Sequence, residues 1–166
     1  MLALIGNIVF SWSNNESMFI YILMLLMETN ETVAAIVFAT LNTSRARLEL
    51  IQRLARTRVA DKSVAKELDE LIERFNECTR LRNEFNHSMF VVSETGELTH
   101  TQAMRIQERR GRLAFGMRRS LDEKRLSEMR EGVADLARLN RDLWAFLPRL
   151  EAYIAGSRRR NTTPAS

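Results

Sequence analysis

Residues 61–87 read DKSVAKELDELIERFNECTRLRNEFNH and carry the clearest helical pattern in the chain. Apolar side chains recur there at alternating spacings of four and three residues, at Val64, Leu68, Leu71, Phe75 and Cys78. This spacing is typical of the seam of an amphipathic helix that packs against other helices. The seam continues through positions 82 and 85, and position 82 is an arginine. Because a buried, unpaired cation costs on the order of several kcal/mol, Arg82 marks a place where function is expected.

The composition around this helix favours an all-α fold. Of the 166 residues 45% are hydrophobic, and only six are glycine and two are proline. Both prolines come late, so that none interrupts the first 147 residues. A chain of this length is expected to bury a core within one domain. We assign that domain to residues 1–156 and expect the basic and polar tail, residues 157–166, to be disordered.

Four helices are predicted from the apolar spacing and from the polar residues that interrupt it. The first three cover approximately residues 3–28, 31–57 and 61–87, and the fourth begins at the capping-box pattern of residues 120–123. Before the fourth helix, β-branched and turn-forming residues at 89–96 indicate a β-hairpin or an ordered loop. We therefore expect a four-helix bundle with a short hairpin or loop inserted before the last helix.

Basic residues are confined to the later part of the chain. Residues 1–44 contain three acids and no lysine or arginine, whereas all 25 basic residues, 22 of them arginine, come later. Arginine suits phosphate recognition because its charged fork can bind two oxygens, although a GC-rich genome also explains such a bias. The longest apolar run, residues 18–27, has ten residues, and a membrane span needs about 20. With a single cysteine, this predicts a cytoplasmic protein, and an amphipathic membrane anchor is the alternative.

The densest basic stretch lies in and after the predicted hairpin. One interpretation is a solvated excursion from the bundle, and the other is an arm that contacts the phosphates of RNA. For the second interpretation the candidate RNA-binding residues are Arg105, Arg109, Arg110, Arg112, Arg118 and Arg119.

Two charged residues interrupt apolar seams, Arg82 on the third helix and Glu16 on the first. The simplest prediction is that the two side chains meet as an ion pair, which relieves the cost of burying each charge. Such a pair either orients Arg82 for function or only fixes the register of the helices. Asn140, a polar residue on the seam of the fourth helix, can fix register in the same way.

His87 follows Arg82 by five residues. A neutral imidazole with a pKa of about 6.5 can act as a general base or acid, and a neighbouring guanidinium can stabilise charge on a phosphate. Residues five apart on a helix are separated by about 140° around the axis. Both can therefore act on one substrate only if the helix ends near Asn86 or if two chains supply complementary halves. The other histidine, His100, is expected to be a surface residue in a polar loop.

The pattern Arg82-Asn83-x-x-x-His87 at the end of the third helix of a small all-α domain resembles the HEPN superfamily of ribonucleases. The resemblance implies a homodimer in which the motifs of two chains face each other across a two-fold axis. It implies cofactor-free, metal-independent cleavage of RNA by attack of the ribose 2′-hydroxyl on the adjacent phosphate. In that scheme His87 transfers the proton, Arg82 holds the phosphate, Asn83 positions Arg82 or the substrate, and Glu16 is a supporting acid. DNA, which lacks the 2′-hydroxyl, should not be cut.

Two hypotheses for function follow. The first is a HEPN-type endoribonuclease, a toxin or defence component whose partners are RNA and a neutralising protein. The second is a non-catalytic homodimer that binds nucleic acid or protein and in which Glu16 and Arg82 form a structural ion pair. The sequence contains no Gly-rich phosphate loop and no Cys/His cluster, so we expect no nucleotide cofactor and no metal.

Overall fold

The computed structural model of the chain describes residues 1–104, 106–109 and 111–162, and for residues 107, 109, 112, 114, 115, 161 and 162 it describes the backbone alone. The described residues are mostly helical, as the composition predicts. They form five helices: α1 (Leu2–Met27), α2 (Glu31–Thr40), α3 (Ser44–Arg58), α4 (Lys62–Asn86) and α5 (Glu123–Thr162). They also form five short strands: β1 (Ser88–Val92), β2 (Leu98–Ala103), β3 (Ile106–Arg109), β4 (Arg112–Phe115) and β5 (Arg118–Ser120).

The prediction of a single helix over residues 31–57 is wrong, because two helices occupy this stretch. α2 ends at Thr40, and Leu41 after it is extended. The hydroxyl of Thr43 then accepts a hydrogen bond of 3.1 Å from the backbone N–H of Ala46 and caps α3. The polar run of residues 42–44 therefore ends one helix and starts the next, which the spacing of apolar residues alone does not reveal.

α4 has the buried seam and the end that its sequence predicts. The seam side chains Leu68, Leu71, Phe75 and Phe85 are each at most 3% exposed. At its start, Asp61 accepts hydrogen bonds from the Ser63 hydroxyl and from two backbone N–H groups, and these lower the pKa of Asp61 below its usual 3.8. The helix ends at Asn86, directly before the histidine of the motif.

More β-structure follows α4 than the single hairpin or loop that the sequence predicts. β1, β2 and β5 form an antiparallel sheet with β2 in the centre, and β3 and β4 form a separate two-stranded sheet. Thr101 in β2 lies opposite Phe90 in β1 and opposite Arg119 in β5. The return into β5 depends on Gly116, which has a φ of 70° and where a Cβ would lie 2.8 Å from the Gln102 side chain.

The chain forms two compact units. The first, here called the sheet unit, comprises Met1–Trp12 and Asn76–Ala137, and the second, the helical unit, comprises Ser13–Phe75 and Arg138–Ser166. The sheet unit contains the strands and the Arg82–His87 motif.

The core of the helical unit combines aromatic packing with one polar contact. The rings of Phe19 and Phe75 meet edge to face with centroids 5.1 Å apart. Asn140, the polar seam residue of the last helix, donates a hydrogen bond of 3.2 Å to the side-chain oxygen of Asn15, which is fully buried. A buried amide pair of this kind tolerates few alternative registers of its helices.

The last helix is longer than expected. α5 continues to Thr162, so the prediction of a disordered tail is wrong for residues 157–162, while residues 163–166 lie outside the described residues. Within the extension, Arg160 donates a hydrogen bond to the Ser157 hydroxyl at 3.0 Å. Arg158 also pairs with Glu28 at 3.4 Å. The three consecutive arginines at 158–160 therefore do not end this helix.

No single helix of the described residues has the length and apolar character that crossing a membrane requires. α1 and α2 satisfy the criterion only when taken together, and they are bent by 117° at the break between them.

Candidate functional site

The last turns of α4 and the three-stranded sheet enclose a cleft of about 310 Å³ within the sheet unit. The helix side of the cleft is lined by Arg80, Asn83, Glu84 and the following His87. These positions are spaced by three, one and three residues, so they lie on one face of the helix. The sheet side is lined by Ser88, Thr101, Ala103, Met117 and Arg119.

His87 lines this cleft and is exposed, and both its backbone N–H and its carbonyl are hydrogen-bonded. Its N–H donates to the Asn83 carbonyl at 3.1 Å, and its own carbonyl accepts from the N–H of Met104 at 2.9 Å. The first bond belongs to the end of α4, and the second ties the residue to the chain that follows β2. The imidazole makes no hydrogen bond or ion pair with the described residues, so both of its nitrogens can meet a ligand.

His100, the second histidine, does not belong to the cleft. It lies in β2, where it pairs with Val91 of β1 and Ser120 of β5, and it is half-buried rather than in a polar surface loop. Its neighbour Thr101 lines the cleft. Because side chains alternate along a strand, His100 points to the opposite face of the sheet.

Arg82 lies on a different face of α4 from the cleft lining. Its guanidinium carbon is 4.2 Å from the centroid of the Trp12 ring, and its Nη1 donates to the side-chain oxygen of Asn83 at 2.9 Å. With the Asn86 amide turned so that its oxygen faces the arginine, that oxygen accepts from Nη2 and Nε, both at 3.1 Å. The half-buried cation is thus satisfied by an aromatic face and two amides.

The predicted ion pair between Glu16 and Arg82 is wrong, because each of the two finds its partners within its own unit. Glu16 is 3.0 Å from Nη1 of Arg47 and accepts a hydrogen bond from the Ser44 hydroxyl, both on α3. The break between α2 and α3 supplies these partners, since it starts a new helix at Ser44. Glu16 therefore lies in the helical unit and lines no part of the cleft.

Glu84 links the cleft to a buried arginine that the sequence did not mark as functional. Its Oε1 accepts a hydrogen bond from Nη1 of Arg119 at 3.0 Å and lies 2.7 Å from Nη2 of Arg125. Arg125 is only 8% exposed, and its guanidinium carbon lies 5.0 Å from the Phe85 ring centroid. Its Nη2 contact is a charge pair without hydrogen-bond alignment, since neither Nε nor Nη2 makes a hydrogen bond with the described residues.

Of the arginines predicted to bind RNA, Arg119 lines the cleft. Arg118 is exposed and adjacent to it in β5, so by strand alternation it points to the other face of the sheet. Arg109 and Arg112 form the last pair of the β3–β4 ladder, and their side chains lie outside the described part. Arg105 and Arg110 lie outside the described residues altogether.

Sequence reasoning missed the part that Arg80 and Glu84 play in the cleft. Their spacing from Asn83 and His87 was available in the sequence and places all four on one helix face. The seam pattern drew attention to Arg82 instead, because it selects the face that packs and not the face that lines a cleft.

Two further findings concern metal binding and the similarity of the chain to other proteins. In residues 1–104, 106–109 and 111–162, no three His, Cys, Asp or Glu side chains cluster in a way that could hold a metal ion. No protein-family model matches the chain, and no curated protein or solved structure matches it either.

Proposed function

We propose that this protein is a HEPN-type endoribonuclease that binds RNA in the cleft at the end of α4 and cleaves it by attack of a ribose 2′-hydroxyl. The observation that carries the proposal is the position of His87, an exposed residue that lines the same cleft as Arg119 and Asn83. A proton-transfer group beside a phosphate-binding group is what one chain contributes to this reaction.

The roles of the cleft residues follow from their chemistry. His87 takes the proton from the 2′-hydroxyl or returns one to the leaving 5′-oxygen. Arg119 binds the phosphate and stabilises the charge that builds up on its oxygens. Asn83 orients either Arg82 or the substrate, since its oxygen already binds Arg82 and its amide nitrogen can donate. Arg82, which lies over the Trp12 ring, stabilises the end of α4.

A second copy of the chain completes the site in this proposal. Transesterification needs both a base and an acid, whereas the cleft of one chain holds one histidine, and His100 points to the other face of the sheet. A homodimer with a HEPN-type four-helix bundle in each chain would supply the second His87. Met117, which lines the cleft and is 48% exposed, suits a contact between copies at the cleft.

One observation favours a binding protein without catalysis. Arg82, the arginine that the resemblance assigns to the phosphate, is occupied by Asn83, Asn86 and Trp12. In that case the cleft and its arginines bind RNA or an acidic protein and His87 has no chemical role. Cleavage separates the two hypotheses.

The test is cleavage of structured RNA in EDTA by wild type, His87→Ala and the matched control His100→Ala. We expect His87→Ala to lose about 10²–10⁴-fold in rate, and His100→Ala to retain wild-type rate within about twofold, because it lies on the other face of the sheet. Circular dichroism and light scattering establish fold and oligomeric state. A folded, dimeric wild type that leaves several RNAs intact, or a fully active His87→Ala, contradicts catalysis. A monomer at micromolar concentration contradicts the two-chain site.

A further inference from the structure

One carboxylate oxygen of Glu84 contacts two arginines. Oε1 is 3.0 Å from Nη1 of Arg119 and 2.7 Å from Nη2 of Arg125. The two arginines differ in freedom, because the side chain of Arg125 is 10% exposed and that of Arg119 is 48% exposed. Arg125 is also held by Glu128 at 2.6 Å and by the ring of Phe85.

The buried partner fixes the carboxylate. Arg125 is buried and hydrogen-bonded to Glu128, and its charge pair at 2.7 Å keeps Oε1 of Glu84 beside it. Arg119 is exposed and belongs to a short strand, and Glu84 is its one partner among the described residues. The buried Arg125 therefore limits the position of the Glu84 carboxylate, and Glu84 in turn limits the orientation of the Arg119 guanidinium.

This contact leaves the Nε–Nη2 edge of the Arg119 guanidinium without a partner among the described residues. Glu84 contacts Nη1 alone. Nε and Nη2 form the fork of parallel N–H groups that matches two oxygens of a phosphate or carboxylate. A guanidinium held at Nη1 can present this fork to the cleft without losing side-chain freedom at the moment of binding.

We propose that Glu84, fixed by the buried Arg125, is a positioning residue that presents the Nε–Nη2 fork of Arg119 to a phosphodiester group in the cleft. The inference rests on the proposed function, and it names the phosphodiester backbone of RNA as the group recognised there. Removing the Glu84 carboxylate then has two opposed effects on the affinity for an anion. Affinity rises because the repulsion is lost, and it falls because the fork of Arg119 is no longer oriented.

A double-mutant cycle on binding separates orientation from charge. The probe is a fluorescent 2′-deoxy oligonucleotide, which keeps the phosphodiesters and cannot undergo 2′-hydroxyl attack, and binding is measured by anisotropy at fixed salt. Arg119→Lys keeps the charge and removes the fork, so we expect about tenfold weaker binding in the wild-type background. In the Glu84→Gln background the same substitution should change affinity less than about twofold, because the fork is no longer held.

Controls cover folding and neighbouring charge. Arg130→Lys, at an exposed arginine of α5 that does not line the cleft, should bind the probe like wild type. If Glu84→Gln does not fold, Glu84→Asp replaces it, because aspartate keeps a negative charge at this position but is one methylene shorter and no longer places its oxygen between the two arginines. Equal effects of Arg119→Lys in both backgrounds overturn the positioning role, as does a wild-type background in which Arg119→Lys has no effect.

The outcome also separates the inference from the proposed function. Binding with the expected coupling but without RNA cleavage supports the positioning role and contradicts the nuclease. Cleavage without coupling supports the nuclease and contradicts the positioning role. A folded wild type that binds neither the RNA nor its 2′-deoxy analogue overturns both.

Discussion

The stacking of Arg82 on Trp12 makes a quantitative prediction about stability. Trp12 is 4% exposed and donates from Nε1 to the Thr79 hydroxyl at 2.8 Å. Trp12→Leu removes this hydrogen bond, part of the ring volume and the aromatic face under Arg82. We expect a loss of about 3 kcal/mol in the free energy of unfolding. In an Arg82→Met background the loss should be about 2 kcal/mol, since roughly 1 kcal/mol belongs to the cation–π contact.

Urea unfolding of wild type, both single variants and the double variant measures this coupling directly. Far-UV circular dichroism is the appropriate signal, because the substitution removes one of the two tryptophans. Equal m-values across the four proteins are needed for the comparison. Trp144→Leu is the control, since Trp144 is 57% exposed and its loss should cost less than about 0.5 kcal/mol. A coupling within about 0.3 kcal/mol of zero would refute the stacking as the means by which Arg82 is accommodated.

Two more predictions concern helix positions. Gly132→Ala should gain less than the roughly 1 kcal/mol that better helix propensity supplies, because the new Cβ would lie 2.3 Å from Leu81 Cδ2 and the Leu81 side chain must shift, whereas Gly156→Ala, whose nearest neighbour is 3.8 Å away, should gain the full amount. Equal gains of the two variants in thermal melts would contradict the packing of Gly132. Asp61→Asn removes a carboxyl group whose pKa is lowered in the folded state. The stability that this carboxylate contributes is present above the unfolded pKa of 3.8 and is lost as the pH falls through the folded pKa. Melting temperatures of wild type and Asp61→Asn should therefore differ at pH 7 and converge as the pH is lowered below about 4, and a difference independent of pH would contradict the cap.

The sequence predicts α4 and its end well, because both depend on local chemistry. Seam residues such as Phe75 and Phe85 are buried as the spacing requires. Arg82 is half-buried on that seam, and the helix stops before His87. Local apolar spacing and the transition to β-branched residues carry this information.

Partners across the fold could not be predicted in this way. Glu16 was expected to meet Arg82 because both break a seam, yet its partners are Ser44 and Arg47 on a helix that begins at an unrecognised break. Seam spacing shows that a charge needs a partner and contains no information about which helix supplies it.

The cleft illustrates the same limit. His87 and Asn83 were identified from the motif, whereas Glu84 depends on Arg119 and Arg125, which lie 35 and 41 positions further along the chain. Three strands and a sheet register bring these residues together. Pairing of short strands depends on side chains of both partners, so the sequence of one segment does not specify it.

Cleavage of a chimeric oligonucleotide tests the nuclease most directly. The substrate is a DNA strand with a single ribonucleotide, incubated in EDTA with wild type and with His87→Ala, and the product ends are determined by mass spectrometry. We predict one cut, 3′ of the ribose, that leaves a 2′,3′-cyclic phosphate and a 5′-hydroxyl, and no cut by His87→Ala. Cleavage at deoxy positions, 5′-phosphate products, or equal cleavage by the two proteins would contradict 2′-hydroxyl attack assisted by His87.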